Sequence, residues 1–574
     1  MLLHRIATLG CALLLLATAP SAISAAFEPI WARDGMVVTS VRPAAAAGAE
    51  VLRKGGNAVD AAVATAFAAA VAHPFSSGLG GGMFAVTHTA DGEATALDAR
   101  ETAPAAIDPE IYRKDQSKIK NGPLAVGVPG FVQGVHALHQ RYGTMPWADL
   151  IEPAIALAEE GVQASFWHRR VVTRVHSRLA NFPETARIQL DEGRIPELGW
   201  TLVQKDLANT LRHIQKHGAR ALAEGEYARK IAEATGGAIS EKDLGEYQVR
   251  WRTPLRGSYR GYQIVSMPPP SSGGVLLVGM LNMLETMDLQ ALGHGSSRYV
   301  HMMAEVMRLA FADRARYLGD PDFYDVPVER LISRQYALDR VKKIRPRSLV
   351  SIPELKQTPD DQGTTHISVM DSQGNAVAIT QTINGIFGSL ITVPGTGIVL
   401  NNELDDFSIQ PNTPNLWEAV GAEANAIVPG KRPLSSMTPT IVLKDGQPHM
   451  VLGSPMGTMI ISSVLHALVN VVDHGMDPQD AVMAPRFHHQ WKPDLLFHEP
   501  EFPMDVQEKL LDIGHKLNRR SAMGAVQMIQ FDAEQCYFLG GVDGRRDSGA
   551  AAVNLEGNSG RRAACLAKAA AASP

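Results

Sequence analysis

A mixed α+β fold built in layers follows from three features of the chain. Between Pro123 and Arg316 it carries helix-period segments such as WADLIEPAIALAEEG and SRYVHMMAEVMRLAFADRARYL, separated by short loops. From Thr365 to about Val553 it carries short alternating runs, THISVMD, AVAITQTI, TPTIVLKDG and HMVLG, which read as strands. No repeat at solenoid periods and no linker-like tract interrupts it before the Ala-rich end, so one large domain is expected. A helix-rich half followed by a strand-rich half packs most simply as layers.

Residues 1–26 differ from the rest: MLLHR gives a short basic start, IATLGCALLLLA an apolar run, and PSAISAA small residues suited to a signal-peptidase cut. That run is shorter than the ~20 residues that span a bilayer, so it reads as an export signal, with the mature protein soluble in a periplasm or outside the cell. Cys11 precedes most of the apolar run and does not mark a lipidation site. Cys536 and Cys565 remain, enough for one disulfide, although Cys565 lies in RRAACLAKAAAASP, within an Ala-rich 554–574 tail that reads as flexible.

Next, PAAAAGAEVLRKGGNAVDAAVATAFAAAVAH reads as two small-residue helices, with Asn57 as N-cap after the Gly55–Gly56 break. SSGLGGGMFAVTH is a glycine-rich turn entering a strand. No G-K-[ST] follows it, so close packing is favoured over phosphate binding. MPPPSSGG, Met267 to Gly274, is a loop stiff at its prolines and free at its glycines. With 54 basic and 59 acidic residues and a net charge of -5, the chain offers no bulk attraction for nucleic acid or an anionic membrane.

THISVMD and NAVAITQT are joined by Ser372–Gln373–Gly374, a connection whose glycine suits the left-handed position of a bulged hairpin. Pairing Asp371 with Asn375 then sets Thr364 opposite Thr382. A threonine hydroxyl is a poor nucleophile without a base beside it, and freeing the residue's own α-amine supplies one. With a pKa of about 7.7 to 8.0, that amine is partly neutral near neutral pH. To expose it, the Thr364 hydroxyl must attack the Gly363 carbonyl and the resulting ester must hydrolyse. The alternative is that two threonines at a strand start merely satisfy β-propensity.

Several further segments carry a resemblance: GGNAVDAAVA, LDARETAP, MPPPSSGG, TTHISVMD, LNNELDDFS, KRPLSSMTPT, GSPMG and APRFHHQW. In order and content they resemble the γ-glutamyltranspeptidase family of the N-terminal nucleophile hydrolases, from about Pro29 to Val553. The resemblance implies a four-layer αββα sandwich. It also implies a precursor that cuts itself between Gly363 and Thr364 into a large subunit, 27–363, and a small subunit, 364–574, which stay together. The implied activity is transfer of a γ-glutamyl group from glutathione or a related compound to water or an acceptor amine, through an ester on Thr364.

The same resemblance implies a role for each site residue. Arg100 matches the arginine that holds the substrate carboxylate, helped by Ser435 and Ser436; a planar guanidinium fork suits that task. Asn384, Glu403 and Asp406 match the positions that hold the α-amino group, and Thr382 the threonine beside the nucleophile. GSPMG matches the oxyanion segment, with Met456 where the family usually has the first of two glycines and Gly457 as the second. The N–H survives that replacement, but a φ above zero would strain methionine. PNTPNLWEAVG matches a lid loop, with Trp417 where tyrosine is common.

His488 and His489 point apart as neighbours and read as structural hydrogen-bonding residues. No metal, nucleotide or organic cofactor is implied. Two other functions compete. One is a cephalosporin or glutaryl-type acylase of the same superfamily, which the amine-binding set argues against. The other is an inactive exported binding protein, favoured only by Met456.

Overall fold

The computed structural model describes residues 27–349, 363–409, 421–557 and 560–572. The export signal read over 1–26 and Trp417 lie outside the described residues.

Two seven-stranded sheets face each other. In one, the strand order is Gly549–Val553, Gly35–Thr39, Thr365–Asp371, Ala376–Thr382, Gly82–His88, Ala94–Ala99, Arg250–Arg252. In the other it is Ile30–Ala32, Tyr537–Val542, Gln527–Asp532, Gln447–Gly453, Thr440–Lys444, Tyr262–Ser266, Leu255–Tyr259. Both combine strands from before and after Gly363.

Side-chain alternation explains why these strands sit between two apolar layers. Val37, Ala85, Val369, Val377 and Ile379 point outward into a core shared with the helices Ala58–Ala72 and Phe131–Tyr142. Their neighbours Met36, Val38, Phe84, Val86, Met370, Ala376 and Ala378 point inward against Val442, Met450, Leu452 and Met528 of the second sheet. Helices Gly273–Leu284, Ser297–Tyr317 and Met459–Val472 cover that sheet's other face. The architecture is therefore an αββα sandwich, and both faces of its central strands are apolar because both are covered.

Asn57 caps the Ala58–Ala72 helix by accepting from the Val59 and Asp60 N–H groups, and the Asp60 carboxylate accepts from the Asn57 N–H in return. All fifteen residues of this helix are buried, and its alanines allow a close approach to the sheet. MPPPSSGG leads into the helix Gly273–Leu284 and clamps a distant segment, as described below.

The Ala-rich tail, expected to be flexible, carries regular structure. Gly560–Ala572 is a helix tied to the second sheet by a disulfide between Cys536 and Cys565, with the Arg561 guanidinium 3.8 Å from the centre of the Phe531 ring. Alanine's high helix propensity acts here on a segment already anchored at both points. Among the described residues no helix is long and apolar enough to cross a membrane.

Candidate active site

The hairpin has the register its sequence sets. Thr365 pairs with Gln381, and Asp371 turns the chain by accepting from the Gln373, Gly374 and Asn375 N–H groups, with Gly374 at φ +98°. At its open end the Thr364 and Thr382 hydroxyl oxygens lie 2.9 Å apart. Thr382 Oγ1 also accepts from the Asn384 N–H at 2.8 Å, and the Asn384 Nδ2 donates to the Asn402 carbonyl at 3.0 Å.

Around the Gly363–Thr364 peptide the packing is tight. A Cβ on Gly363 would lie 2.0 Å from the Asn384 carbonyl oxygen, and one on Gly81 2.0 Å from that of Thr382. The glycine-rich turn is thus a close-packing device, as expected. Thr364 itself has φ +78°, a strained conformation for a β-branched residue. Its N–H donates to the Ser76 carbonyl at 2.9 Å. Arg546 donates to the Thr364 carbonyl at 3.0 Å and to the Gly363 carbonyl at 3.4 Å. His366 is the histidine nearest in sequence, but its ring nitrogens face Thr380 and Ser368, and burial pushes it down to about 3.

One narrow cavity is lined by Thr364, Thr382, Asn384, Arg100, Glu403, Asp406, Ser435, Ser436 and Gly457, residues more than 350 positions apart at the extremes. Arg100 is 1% exposed. Its Nη1 pairs with Glu403, its Nη2 with Asp406, and its Nε donates to the Pro433 carbonyl at 3.3 Å. Sequence reasoning assigns Arg100 and the two carboxylates to opposite charges of a ligand; here they neutralise one another. Burial works against the Arg100 charge, but Glu403, Asp406 and Glu101 outweigh it and hold its pKa above the ordinary value. Burial raises Glu403 and Asp406 above the usual carboxylate range, with Arg100 opposing.

The MPPPSSGG loop holds the chain on both sides of Ser436. The Ser272 N–H and hydroxyl both donate to the Ser435 carbonyl, at 2.8 and 2.7 Å, and the Ser435 N–H donates to the Pro270 carbonyl at 2.9 Å. Ser271 donates to the Met437 carbonyl at 2.6 Å.

Met456 and Gly457 precede the helix Met459–Val472 with φ +100° and +52°. Among the described residues neither N–H has a hydrogen-bond acceptor, so two donors remain beside a helix N-terminus, an arrangement suited to an oxyanion. The Met456 side chain is buried with Met459, Phe497 and Met523, and its Sδ accepts from the Gly524 N–H at 2.9 Å. Met456→Gly would relieve about 1–3 kcal/mol of backbone strain but lose packing worth about 2–5 kcal/mol. A lower thermal midpoint with kcat within a few-fold of wild type is expected; a higher midpoint would show that strain dominates.

Sequence reasoning missed three residues. Glu101 directly follows Arg100, is fully buried, and lies 3.7 Å from its guanidinium. Arg546 bonds the peptide expected to be cut. Arg314 lines the cavity from the helix Ser297–Tyr317. Arg314 is in helical phase with the buried Met307 and Ala310, a signal that could have flagged a charge on a core face. His488 and His489 have separate partners: His488 bonds Ser462 and Gln490, His489 bonds Asp494.

Comparison with known proteins bears on the chain as a whole. The family described as Gamma-glutamyltranspeptidase matches residues 44–553. A glutathione hydrolase proenzyme of Escherichia coli (strain K12) is 43% identical over 517 residues, 88% of this chain and 89% of that protein. An acylase ACY 1 proenzyme of Pseudomonas sp. (strain SE83) is 39% identical over 88% of this chain and 91% of its own length. Among solved structures, a cephalosporin acylase from Bacillus halodurans superposes with a TM-score of 0.82 at 31% identity, covering 94% of this chain and 99% of that one. With a family match across most of its length and relatives this similar over nearly all of theirs, the chain belongs to the gamma-glutamyltranspeptidase family.

Proposed function

We propose that the chain is an exported, autoprocessing γ-glutamyltransferase and glutathione hydrolase with Thr364 as its nucleophile. The observation that carries this reading is a single cavity in which the Thr364 hydroxyl, 2.9 Å from that of Thr382, meets Arg100, Glu403, Asp406, Ser435 and Ser436.

In maturation the Thr364 Oγ attacks the Gly363 carbonyl carbon, and the C–N bond breaks as the Thr364 nitrogen takes a proton. Water then hydrolyses the ester, leaving a Gly363 carboxylate and a free Thr364 amine and hydroxyl. Arg546, already donating to the Gly363 carbonyl, suits the negative charge that develops there. The two pieces stay together because each sheet combines strands from both; Thr365–Asp371 pairs with Gly35–Thr39, and Ala376–Thr382 with Gly82–His88.

In catalysis the amine takes the Thr364 hydroxyl proton as Oγ attacks the donor's γ-carbonyl, then gives it to the leaving amine. The Met456 and Gly457 N–H groups stabilise the oxyanion. The γ-glutamyl ester passes to water or to an acceptor amine. Glu403 and Asp406 hold the donor's ammonium with Asn384, while Arg100 and the serine pair hold its carboxylate.

The acylase reading is favoured by the close superposition on a cephalosporin acylase. Two carboxylates in the cavity argue for an amine-bearing donor, which a glutaryl group is not. Comparing a γ-glutamyl anilide with a glutaryl anilide tests this: clear preference for the γ-glutamyl donor is expected, and preference for the glutaryl donor would establish the acylase.

A pH dependence follows from the buried carboxylates. They must be ionised to hold an ammonium, and their pKa values are raised, so kcat/KM falls as pH drops through a limb above the ordinary carboxylate value of about 4. The Glu101 charge is one cause that raises Glu403. Glu101→Gln should therefore move the acid limb to lower pH; a pH–rate profile with an unmoved or raised limb would contradict the assignment.

A further inference from the structure

Arg314 is 6% exposed, yet among the described residues its guanidinium bonds only two hydroxyls: Nε donates to Ser272 Oγ at 3.0 Å and Nη2 to Ser436 Oγ at 3.2 Å. No carboxylate among the described residues forms an ion pair with it, and its Nη1 has no acceptor there. Burying a guanidinium without a direct ion pair is costly: burial lowers its pKa to about 10, a shift that the Asp406 charge opposes and the Arg100 charge deepens. Arg100, by contrast, has its charge met by Glu403 and Asp406. Of the two arginines lining the cavity, the one beside the serine pair is the one left without a carboxylate partner.

Hydroxyl directionality gives this cation a task. The Ser272 hydroxyl hydrogen is committed to the Ser435 carbonyl, so Ser272 receives Arg314 only as an acceptor and fixes the guanidinium plane. Ser436 likewise accepts from Arg314, and its own hydrogen has no acceptor among the described residues. A hydroxyl has one hydrogen to give. With Arg314 donating to the oxygen, that hydrogen is left to be given to an acceptor in the cavity that both residues line.

We infer that Arg314 is a positioning and specificity-determining residue: it orients the Ser436 hydroxyl as a donor and supplies the positive charge that the donor's α-carboxylate answers. This rests on the γ-glutamyl reading above and extends it to a residue on a different element from Arg100. The ligand group recognised is a carboxylate next to the donor's amine; an amide there would keep the shape and lose the charge.

The test compares kcat/KM for a γ-glutamyl anilide and for the same anilide with its α-carboxyl amidated, using the processed enzyme. Wild type should prefer the free acid. Arg314→Met should shrink that preference about 10-fold or more, chiefly through KM, while the amidated donor changes only a few-fold. Arg314→Lys, which keeps the charge but not the fork, should shrink it less. Adding Ser436→Ala to Arg314→Met should cost less than the product of the two single effects, because the residues act as one unit. Processing into two fragments reports folding; if Arg314→Met fails to process, the comparison rests on Arg314→Lys and Ser436→Ala. Equal damage to both donors, or an unchanged preference in Arg314→Lys and Arg314→Met, overturns the inference. A wild type indifferent to amidation would instead refute the γ-glutamyl head-group reading, whatever the variants do.

Discussion

Thr364→Ala should give one uncut chain with no measurable γ-glutamyl transfer. The substitution removes the only hydroxyl that the hairpin presents directly after the Gly363 carbonyl, and with it both the cleaving group and the later nucleophile. The surroundings should otherwise persist, since the Thr364 N–H and carbonyl contacts to Ser76 and Arg546 are backbone bonds that alanine keeps. Thr364→Ser, which keeps the hydroxyl, should still process. Denaturing gels and terminal sequencing check both; cutting of Thr364→Ala at the same bond would place the processing activity in another protein.

The second large effect concerns Arg100 and Asp406. Truncating one member of a buried, hydrogen-bonded charge pair costs about 2 to 5 kcal/mol, so each alanine variant should lower kcat/KM by about 30-fold to several thousand-fold. Their effects on stability should differ. Arg100→Ala leaves the buried Glu101 and Glu403 and the partly buried Asp406 together without their shared cation, whereas Asp406→Ala leaves Arg100 still paired with Glu403. Arg100→Ala should therefore lower the thermal midpoint further. On donors, Asp406→Ala should reduce the preference for a γ-glutamyl over a glutaryl group. Full retention of that preference would favour the acylase. Arg100→Ala should harm an α-amidated donor less than the free acid.

How much of this was legible in sequence varied with how local the determining interactions are. The hairpin was legible to the residue, because strand alternation and a three-residue turn set the register that brings Thr364 to Thr382. Asn57 was legible as a cap because its partners are two and three residues away. The ion pairs of Arg100 with Glu403 and Asp406 cross about 300 positions, and nothing along the chain shows that they meet before a ligand arrives. Arg314 lies inside a helix-period segment, where only its phase with Met307 and Ala310 sets it apart from the arginines of the solvated face. The helix and disulfide of the tail were not legible, because the Cys536–Cys565 bond is a long-range fact that composition alone does not show.

The central claim, that Thr364 frees itself and then carries the γ-glutamyl group, is tested most directly by intact mass spectrometry of the purified protein before and after brief incubation with glutathione. Two fragments divided between Gly363 and Thr364 are expected, with a transient gain of one γ-glutamyl group confined to the fragment that begins at Thr364. An uncut chain, a cut at another bond, or a γ-glutamyl group carried on the fragment ending at Gly363 would contradict it.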